Sequence, residues 1–430
     1  MDGDKRSHGL WEASAPPAPA AAALAADTRA EVAIVGAGFT GLSAALHLAE
    51  RGIDCVVLEA RCAGFGGSGR NVGLVNAGMW VLPDEVPRVL GRVYGPRLLE
   101  VLGSAPALVY DIIGRYGIDC EAVRQGTLHC ALGERGLAEI RRRAEQWSRL
   151  GAPVRLLDAA ETARRVGTAA YSGSLLDLRA GTIQPLSYVR GLAAAAMRRG
   201  ARVHAESPVL SWREAGGCWR LEVAGGIRVE ARRVLLATNA YTDWDGQWRG
   251  LRAELAAFPY FNLATAPLRP ELRAAILPGG EGAWDTNKVL SSMRLDAAGR
   301  LVFGSVGALR GGSLAMHRDW ARRSLLRLFP RLGAIDFEHE WFGTIGMTAD
   351  CLPRFHEPAP NLFSFCGYNG RGIGTGTAFG LWFARLAAGE ISADEMPLPL
   401  TPMRAIGWRR LRELVYERGA GLVHFAGARF

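Results

Sequence analysis

Apolar positions recur along the chain with two periods, and the switches between them mark the elements. The apolar run in Glu31-Val32-Ala33-Ile34-Val35 predicts a buried strand. After Gly36-Ala37-Gly38-Phe39-Thr40-Gly41, apolar residues fall at Leu42, Ala45, Leu46, Leu48 and Ala49, the spacing of a helix that Gly52 ends. Cys55-Val56-Val57-Leu58 predicts the next strand, with Glu59 at its end. Arg-rich helical patterns occupy 88–116 and 134–150, another helix falls at 185–199, and strands follow at 202–210, 218–223 and 227–236. Between 255 and 310 the pattern becomes strands separated by Pro and Gly turns, as at 289–295 and 301–305 around Asp296-Ala297-Ala298-Gly299, which suits an antiparallel sheet. A last strand at 362–366 runs into the glycine-rich 367–376 and a helix to 388, so the chain closes with the strand, glycine loop, helix order with which it opens. No fixed period repeats, which excludes a solenoid. The expected class is α/β joined to α+β.

Composition narrows the picture. The 430 residues are 49% apolar and 22% charged, ordinary globular values that exclude disordered, collagenous and disulfide-scaffold chains and leave room for two or three domains. A net charge of +9 suits an anionic partner, a pyrophosphate-bearing cofactor or a diffuse arginine surface, and nucleic acid is the disfavoured reading. All basic side chains except Lys5 and Lys288 are arginines, so chemistry needing a lysine amine falls to Lys288. Seven scattered cysteines without a CxxC and eight histidines without an HExxH predict neither disulfides nor a metal, and fit a reducing cytoplasm. No run reaches the ~18 apolar residues of a membrane span. Pro16, Pro17 and Pro19 break the alanine-rich start, and residues 1–30 are expected to be a tail.

The chemistry lies in the glycine loops. A GxGxxG motif that follows a strand, opens a helix and is answered by an acid after the next strand is a dinucleotide fingerprint. Gly36 permits the turn, Gly38 lets the backbone approach a pyrophosphate and Gly41 allows close helix-to-strand packing, while the helix N-terminus offers free amides. Glu59 can accept from both ribose hydroxyls and would repel a 2′-phosphate, which disfavours an NADP-type site. A second glycine-rich loop at 64–74, and the strand at 233–236 running into Ala237-Thr238-Asn239-Ala240, favour FAD over NAD, although either segment alone is also consistent with a plain loop or buried strand.

These segments carry a resemblance. Leu10-Trp11-Glu12-Ala13-Ser14-Ala15-Pro16-Pro17, Gly69-Arg70-Asn71, Leu263-Ala264-Thr265-Ala266-Pro267-Leu268, Gly346-Met347-Thr348-Ala349-Asp350-Cys351-Leu352-Pro353, Gly367-Tyr368-Asn369-Gly370-Arg371-Gly372 and Pro399-Leu400-Thr401-Pro402 together span most of the chain. It resembles the FAD-dependent amine oxidases of the glycine oxidase and sarcosine oxidase superfamily (D-amino-acid-oxidase-like), most of all the gamma-glutamylputrescine oxidoreductase group. The resemblance implies a discontinuous Rossmann-like FAD-binding domain (31–80, 154–245 and 340–390), an inserted antiparallel-sheet substrate domain (81–153 and 246–339) and a C-terminal tail or helix (391–430). It places FAD on Gly36, Gly38, Phe39, Thr40 and Gly41; on Glu59, Ala60 and Arg61; on Gly67, Ser68, Gly69, Arg70, Asn71, Gly73 and Leu74; on Val209, Ala237, Thr238 and Asn239; on Gly343; and on Gly370, Arg371, Gly372, Ile373, Gly374 and Thr375. The last loop would aim amides at flavin N1 and the C2 carbonyl, where charge collects on reduction.

Departures from the family pattern shape the rest of the reading. Gly343 stands where sarcosine oxidases carry their flavin-linking cysteine, and the 64–74 loop has no histidine, so FAD is expected to be noncovalent. Ile345 and Gly374 stand where amino-acid-oxidising relatives hold the substrate carboxylate, which favours an amine over a free α-amino acid. Arg294 is open to holding a remote carboxylate or to being a surface strand residue. Val302 matches the strand lysine that promotes oxygen reaction in sarcosine-oxidase-like members, leaving Lys288 either approaching the flavin from another strand or solvated. Tyr260, Phe261, Trp284 and Trp341, with Tyr368 and Asn369, are candidates for a substrate cage, each with core packing as its alternative. The expected reaction is oxidation of a primary or secondary amine to an imine and then an aldehyde, with oxygen or another acceptor taking the electrons. A flavoprotein acting on modified tRNA is the rival class. The basic tail (Arg404, Arg409, Arg410, Arg412, Arg418 and Arg429, with apolar Ile406, Trp408, Leu411, Leu414 and Val415) reads either as a helix docked on a subunit or as a basic amphipathic helix at a membrane surface.

Overall fold

The computed structural model describes residues 8–242 and 249–427. Two eight-stranded sheets organise it. In the first, Thr28–Val35 is central, parallel to Ile227–Leu236 on one side and Cys55–Leu58 on the other. Leu362–Cys366 and Arg202–His204 extend the parallel run outward. Val32 to Ile34 and Cys55 to Val57 are fully buried, as a strand covered on both faces requires. One face carries the helices Phe39–Glu50, Pro185–Arg198 and Gly372–Ala387, against which the long helix Glu85–Tyr116 packs. The antiparallel ribbon Val209–Ala215 and Cys218–Val223 contributes Trp219, Leu221 and Val223 to the other face.

The second sheet runs Phe337–Met347, Ala256–Pro267, Arg300–Val306, Ser291–Leu295, Gly282–Asp285, Thr127–Ala131, Gly173–Asp177, Val154–Leu157, and is antiparallel at every step except Gly282–Asp285 against Thr127–Ala131. Its outer side is covered by the helix Ser313–Leu328, through Trp320, Ala321 and Leu325. A discontinuous Rossmann-like domain with an inserted, mostly antiparallel sheet is therefore the architecture.

Two expected boundaries differ. Val154–Leu157 and Gly173–Asp177 pair into the second sheet, because their partner is Thr127–Ala131, so 154–177 leaves the dinucleotide domain. Phe337–Met347 pairs along Ala256–Pro267 and also belongs to the second sheet. The expected division at 245/246 lies outside the described residues, as does Arg429.

The N-terminal segment is a strap, not a tail. In the helix Leu10–Ser14, Trp11 is 0% exposed. Its indole N–H donates to the Asn71 carbonyl at 2.8 Å, and its own carbonyl accepts from Gln184 at 2.9 Å. Glu12 pairs with Arg190 at 2.6 Å, and farther along the Leu24 amide donates to Ser207 Oγ at 2.9 Å. Proline removes backbone donors and disfavours regular structure over 16–19, yet side-chain contacts spaced along the segment tie it down.

Candidate functional site

One cavity of about 1070 Å³ runs from the first glycine loop, across the edge where the two sheets meet, to an aromatic chamber on the second sheet. Its first end is built by local backbone constraints. Gly36 holds φ 104°, a region L side chains avoid. A Cβ on Gly41 would stand 2.0 Å from the Gly36 carbonyl oxygen, so glycine alone lets the helix Phe39–Glu50 start this close to the strand. Glu59 braces the turn from the far side, Oε2 accepting from the Ala37 amide at 2.8 Å and Oε1 from the Arg61 amide at 2.9 Å. Burial pushes this carboxyl up, against the pull of those amides. Ser68 Oγ accepts from the Phe39 amide at 3.0 Å and joins the second glycine loop to the helix N-terminus.

That second loop is folded by its own side chains. Asn71 donates to the Gly67 and Ser68 carbonyls at 3.0 and 2.9 Å and accepts from the Gly73 amide at 2.9 Å. Arg70, almost fully buried, donates to the Phe65 carbonyl at 2.7 Å while its own carbonyl accepts from Trp341 and Asn262.

Opposite, the terminal loop opens the helix Gly372–Ala387, and Tyr368, Asn369, Gly370, Gly372 and Ile373 line the cavity. Asn369 Oδ1 accepts from the Thr348 amide at 2.9 Å, Asn239 Oδ1 accepts from the Gly367 amide at 3.0 Å, and the Tyr368 and Thr40 hydroxyls meet at 2.7 Å. Two loops more than three hundred residues apart in sequence are thus hydrogen-bonded across the cavity.

The chamber on the second sheet is aromatic. Trp80 and Trp284 meet edge-to-face with centroids 4.9 Å apart, and the Tyr260 hydroxyl lies 2.7 Å from Ser292 Oγ. Behind Trp284, His129 stacks at 3.4 Å; burial pushes its imidazole well down, keeping it neutral. Lys288 stands exposed on the turn between Gly282–Asp285 and Ser291–Leu295 and lines the cavity. Asp285 shapes that turn, accepting from the Asn287 and Ser291 amides at 2.8 and 3.2 Å.

Of the expected cofactor residues, Gly36, Gly38, Phe39, Thr40, Glu59, Ala60, Arg61, Gly67, Ser68, Arg70, Asn71, Leu74, Val209, Ala237, Thr238, Asn239, Gly343, Gly370, Gly372 and Ile373 line the cavity. Gly41, Gly69, Gly73, Gly374 and Thr375 do not; the glycines are close-packing points behind it, Gly374 against Ala105 and Gly73 beneath the Ile183 carbonyl, and Thr375 is buried. Of the expected substrate residues, Tyr260, Trp284, Tyr368 and Asn369 line it.

Four further placements are corrections. Trp341 is fully buried against Trp11, and Arg294 donates to the Ile183 and Leu295 carbonyls, pairs with Glu121 at 3.6 Å and lies 5.5 Å over the Trp11 ring, so neither reaches the cavity. Both occupy the cavity-facing side of their strands, but two positions beyond Gly343 and Ser292, where the N-terminal strap covers the sheet. Phe261, on the opposite face, stacks on His317. Arg371 sits behind the aromatic wall, its guanidinium 4.9 Å from Trp80 and 5.1 Å from Trp284 and donating to the Ala77 carbonyl at 2.9 Å; burial, then Arg143, pushes it down to about 9.

Sequence reasoning missed Trp80, Asn76, Tyr241, Leu290, Ser292 and Cys351 as lining residues. Only Cys351 belongs to one of the family-like motifs. The others lie in segments without a distinctive residue pattern.

The cavity's first end has the chemistry of an FAD site: a helix N-terminus facing two glycine-rich loops, an acid at the end of the second strand and a second helix N-terminus at the far loop. The sequence model of the FAD dependent oxidoreductase family, DAO, matches residues 31–386. The chain belongs to this family. Within it, the chain is 33% identical to gamma-glutamylputrescine oxidoreductase of Escherichia coli (strain K12) over 91% of each chain. It is 32% identical to the probable oxidoreductase OrdL of Haemophilus influenzae over 86% of this chain and 85% of that one. The crystal structure of glycine oxidase from Geobacillus kaustophilus superposes with a TM-score of 0.71 at 24% identity, over 88% of this chain and all of that one, which establishes the shared fold. Members of this family act as FAD-dependent oxidoreductases on CH–NH groups, and this chain is one of them. Among the described residues no cluster suits a metal ion, and no helix is long and apolar enough to cross a membrane.

Proposed function

We propose that the protein binds FAD noncovalently and oxidises a primary or secondary amine at the carbon bearing nitrogen, giving an imine that water hydrolyses to an aldehyde, with oxygen as the final acceptor and hydrogen peroxide as its product. Bound FAD would supply the two-electron acceptor for the hydride. The observation that carries the reading is the character of the chamber: Trp80, Trp284, Tyr260, Leu290 and Tyr368 enclose it, and among the described lining residues its end of the cavity holds no carboxylate and no histidine.

Such a chamber favours the neutral amine, since an ammonium loses its hydration there without gaining a counter-ion, and deprotonation then needs no dedicated base. Lys288 adds a positive charge at the same end. Ile345 lines the cavity where a carboxylate clamp would be needed for a free α-amino acid. Noncovalent attachment is supported by Gly343 and by the thiol of Cys351, a lining cysteine that burial and then Asp350 push up, away from the reactive thiolate. The relative named gamma-glutamylputrescine oxidoreductase supports an amine as substrate. A non-oxygen acceptor is the second reading, favoured by the buried, apolar Val302.

Anaerobic addition of a panel of amines and amino acids to the purified yellow protein, followed by acid precipitation and then by air, tests the reading. Bleaching by an amine, release of flavin by acid and peroxide on aeration are expected. Bleaching only by α-amino acids, or flavin retained on the precipitate, overturns the corresponding part, and a reduced flavin that air leaves unchanged selects the second acceptor reading.

A further inference from the structure

The C-terminal helix Arg409–Ala426 turns only one face to the protein. On that face Glu413 accepts from the Ala257 amide at 2.8 Å and pairs with Arg252 at 3.0 Å, and Ala420 is buried. His424 is enclosed there by Trp320, His317 and Ser305. The helix is thus seated on the strand Ala256–Pro267 and the helix Ser313–Leu328. Phe258, which lines the cavity, meets Tyr416 edge-to-face at 5.1 Å, so the helix lies one ring away from the site.

The opposite face is apolar, and no described residue packs over its centre. Leu411, Val415 and Leu422 form its centre, Leu414 widens it, and Trp408 continues it ahead of the helix; Trp408 is 82% and Leu422 71% exposed. Single exposed apolar side chains are ordinary, but a row of them on a helix whose other side is docked is a binding surface. Arg410 and Arg412 are exposed on its two borders, and Arg418 is exposed within it, between Leu414 and Leu411 around the helix. The two carboxylates of the helix lie elsewhere, Glu413 turned inward and Glu417 well around the helix from Leu411, Val415 and Leu422.

We propose that this face docks the protein on an anionic lipid membrane surface. Apolar side chains bordered by arginines, with a tryptophan at the end of the row, suit a helix lying in the plane of the headgroups, where the leucines enter the acyl boundary and the arginines meet lipid phosphates. Each arginine near such a surface contributes about fivefold in affinity. A second copy of the chain is the poorer occupant: two-fold pairing of the helix with itself would bring Arg412 and Arg418 of both copies together on a face without carboxylates.

Co-sedimentation of the full-length, flavin-loaded protein with phosphatidylglycerol–phosphatidylcholine vesicles and with phosphatidylcholine vesicles, at low and raised salt, tests the proposal, alongside sedimentation velocity without lipid. The expected result is binding to the anionic vesicles that weakens as salt rises. It should be lost in the Leu411→Glu, Leu422→Glu double variant and be weakened about fivefold per arginine in the Arg412→Gln, Arg418→Gln variant. The flavin spectrum should remain that of wild type in the arginine variant, which keeps the test valid if the leucine variant misfolds. Wild-type protein that ignores anionic vesicles, or binds both vesicle types equally at every salt concentration, overturns it. So does a concentration-dependent dimer that the leucine variant dissociates without any vesicle binding, which would make a second copy the occupant.

Discussion

Trp11 and Trp341 meet edge-to-face with ring centroids 5.3 Å apart, and this contact marks where the cavity ends. The sheet face carrying Tyr260 and Gly343 is open to the cavity. Two residues along, at Asn262 and Trp341, the same face is closed by the Arg70 carbonyl and the N-terminal helix. Truncating Trp11 to alanine removes a fully buried indole and the hydrogen bond that pins Asn71. It should destabilise the protein by about 3–5 kcal/mol, and because Asn71 folds the 64–74 loop, FAD should dissociate more readily. Thermal unfolding, with released flavin followed by fluorescence, checks both effects.

Glu59 braces Ala37 and Arg61 and also lines the cavity, where its remaining lone pairs could accept from a ribose. Glu59→Ala should weaken FAD binding by roughly tenfold to a hundredfold, the worth of one hydrogen bond to a charged acceptor. Reconstitution of apoprotein with FAD, followed by absorbance, measures the change. Unaltered affinity would show that the carboxylate serves the backbone turn alone.

Lys288 is the one lysine among the described residues, and it stands at the cavity. If its charge assists electron transfer to oxygen, Lys288→Met should leave anaerobic reduction by amine within a few-fold of wild type and slow reoxidation by on the order of a hundredfold, the scale of a single well-placed electrostatic group. Stopped-flow traces of the two half-reactions separate these effects.

His317 and His424 face one another, Nδ1 to Nδ1, at 2.8 Å, with Ser305 on His424 Nε2 at 3.2 Å and Arg323 donating to the His424 carbonyl. Burial pushes His317 down to about 4; burial, then His317 and Arg323, pushes His424 down to about 3. The unfolded chain takes up these protons near pH 6.5, while the folded pair resists them, so the unfolded state binds more protons between 6.5 and the folded values. Stability therefore holds above pH 6.5, falls as the pH drops from there toward about 4 and then toward about 3, and loses nothing further from this pair below both values. The thermal midpoint measured across that range should fall less steeply in His424→Gln than in wild type.

What was legible in the sequence was what a residue type settles locally. Gly36 and Gly41 are required by a positive φ and by a Cβ that would strike the Gly36 carbonyl, and both constraints act within six residues. Buried parallel strands show as unbroken apolar runs, because both faces are covered. Cys351 was visible inside a family-like motif, but its position against the cavity was not.

The resemblance put Arg294 and Trp341 toward the substrate side, and both do stand on the cavity-facing side of their strands, whereas Phe261, one position from Tyr260, points the other way because side-chain direction alternates along a strand. How far along that side the cavity extends was decided by a distant covering segment, Leu10–Ser14, which composition presents as a tail and tertiary contacts make a strap. Arg371 shows the same limit. It belongs to the terminal glycine loop by sequence, but the indoles of Trp80 and Trp284, from two other segments, take the place in front of it. The sequence by itself determined the family and the glycine loops. Only the tertiary structure decided which of the candidate residues remain open to a ligand, because exposure depends on the segments that pack over a face, and those segments lie far away along the chain.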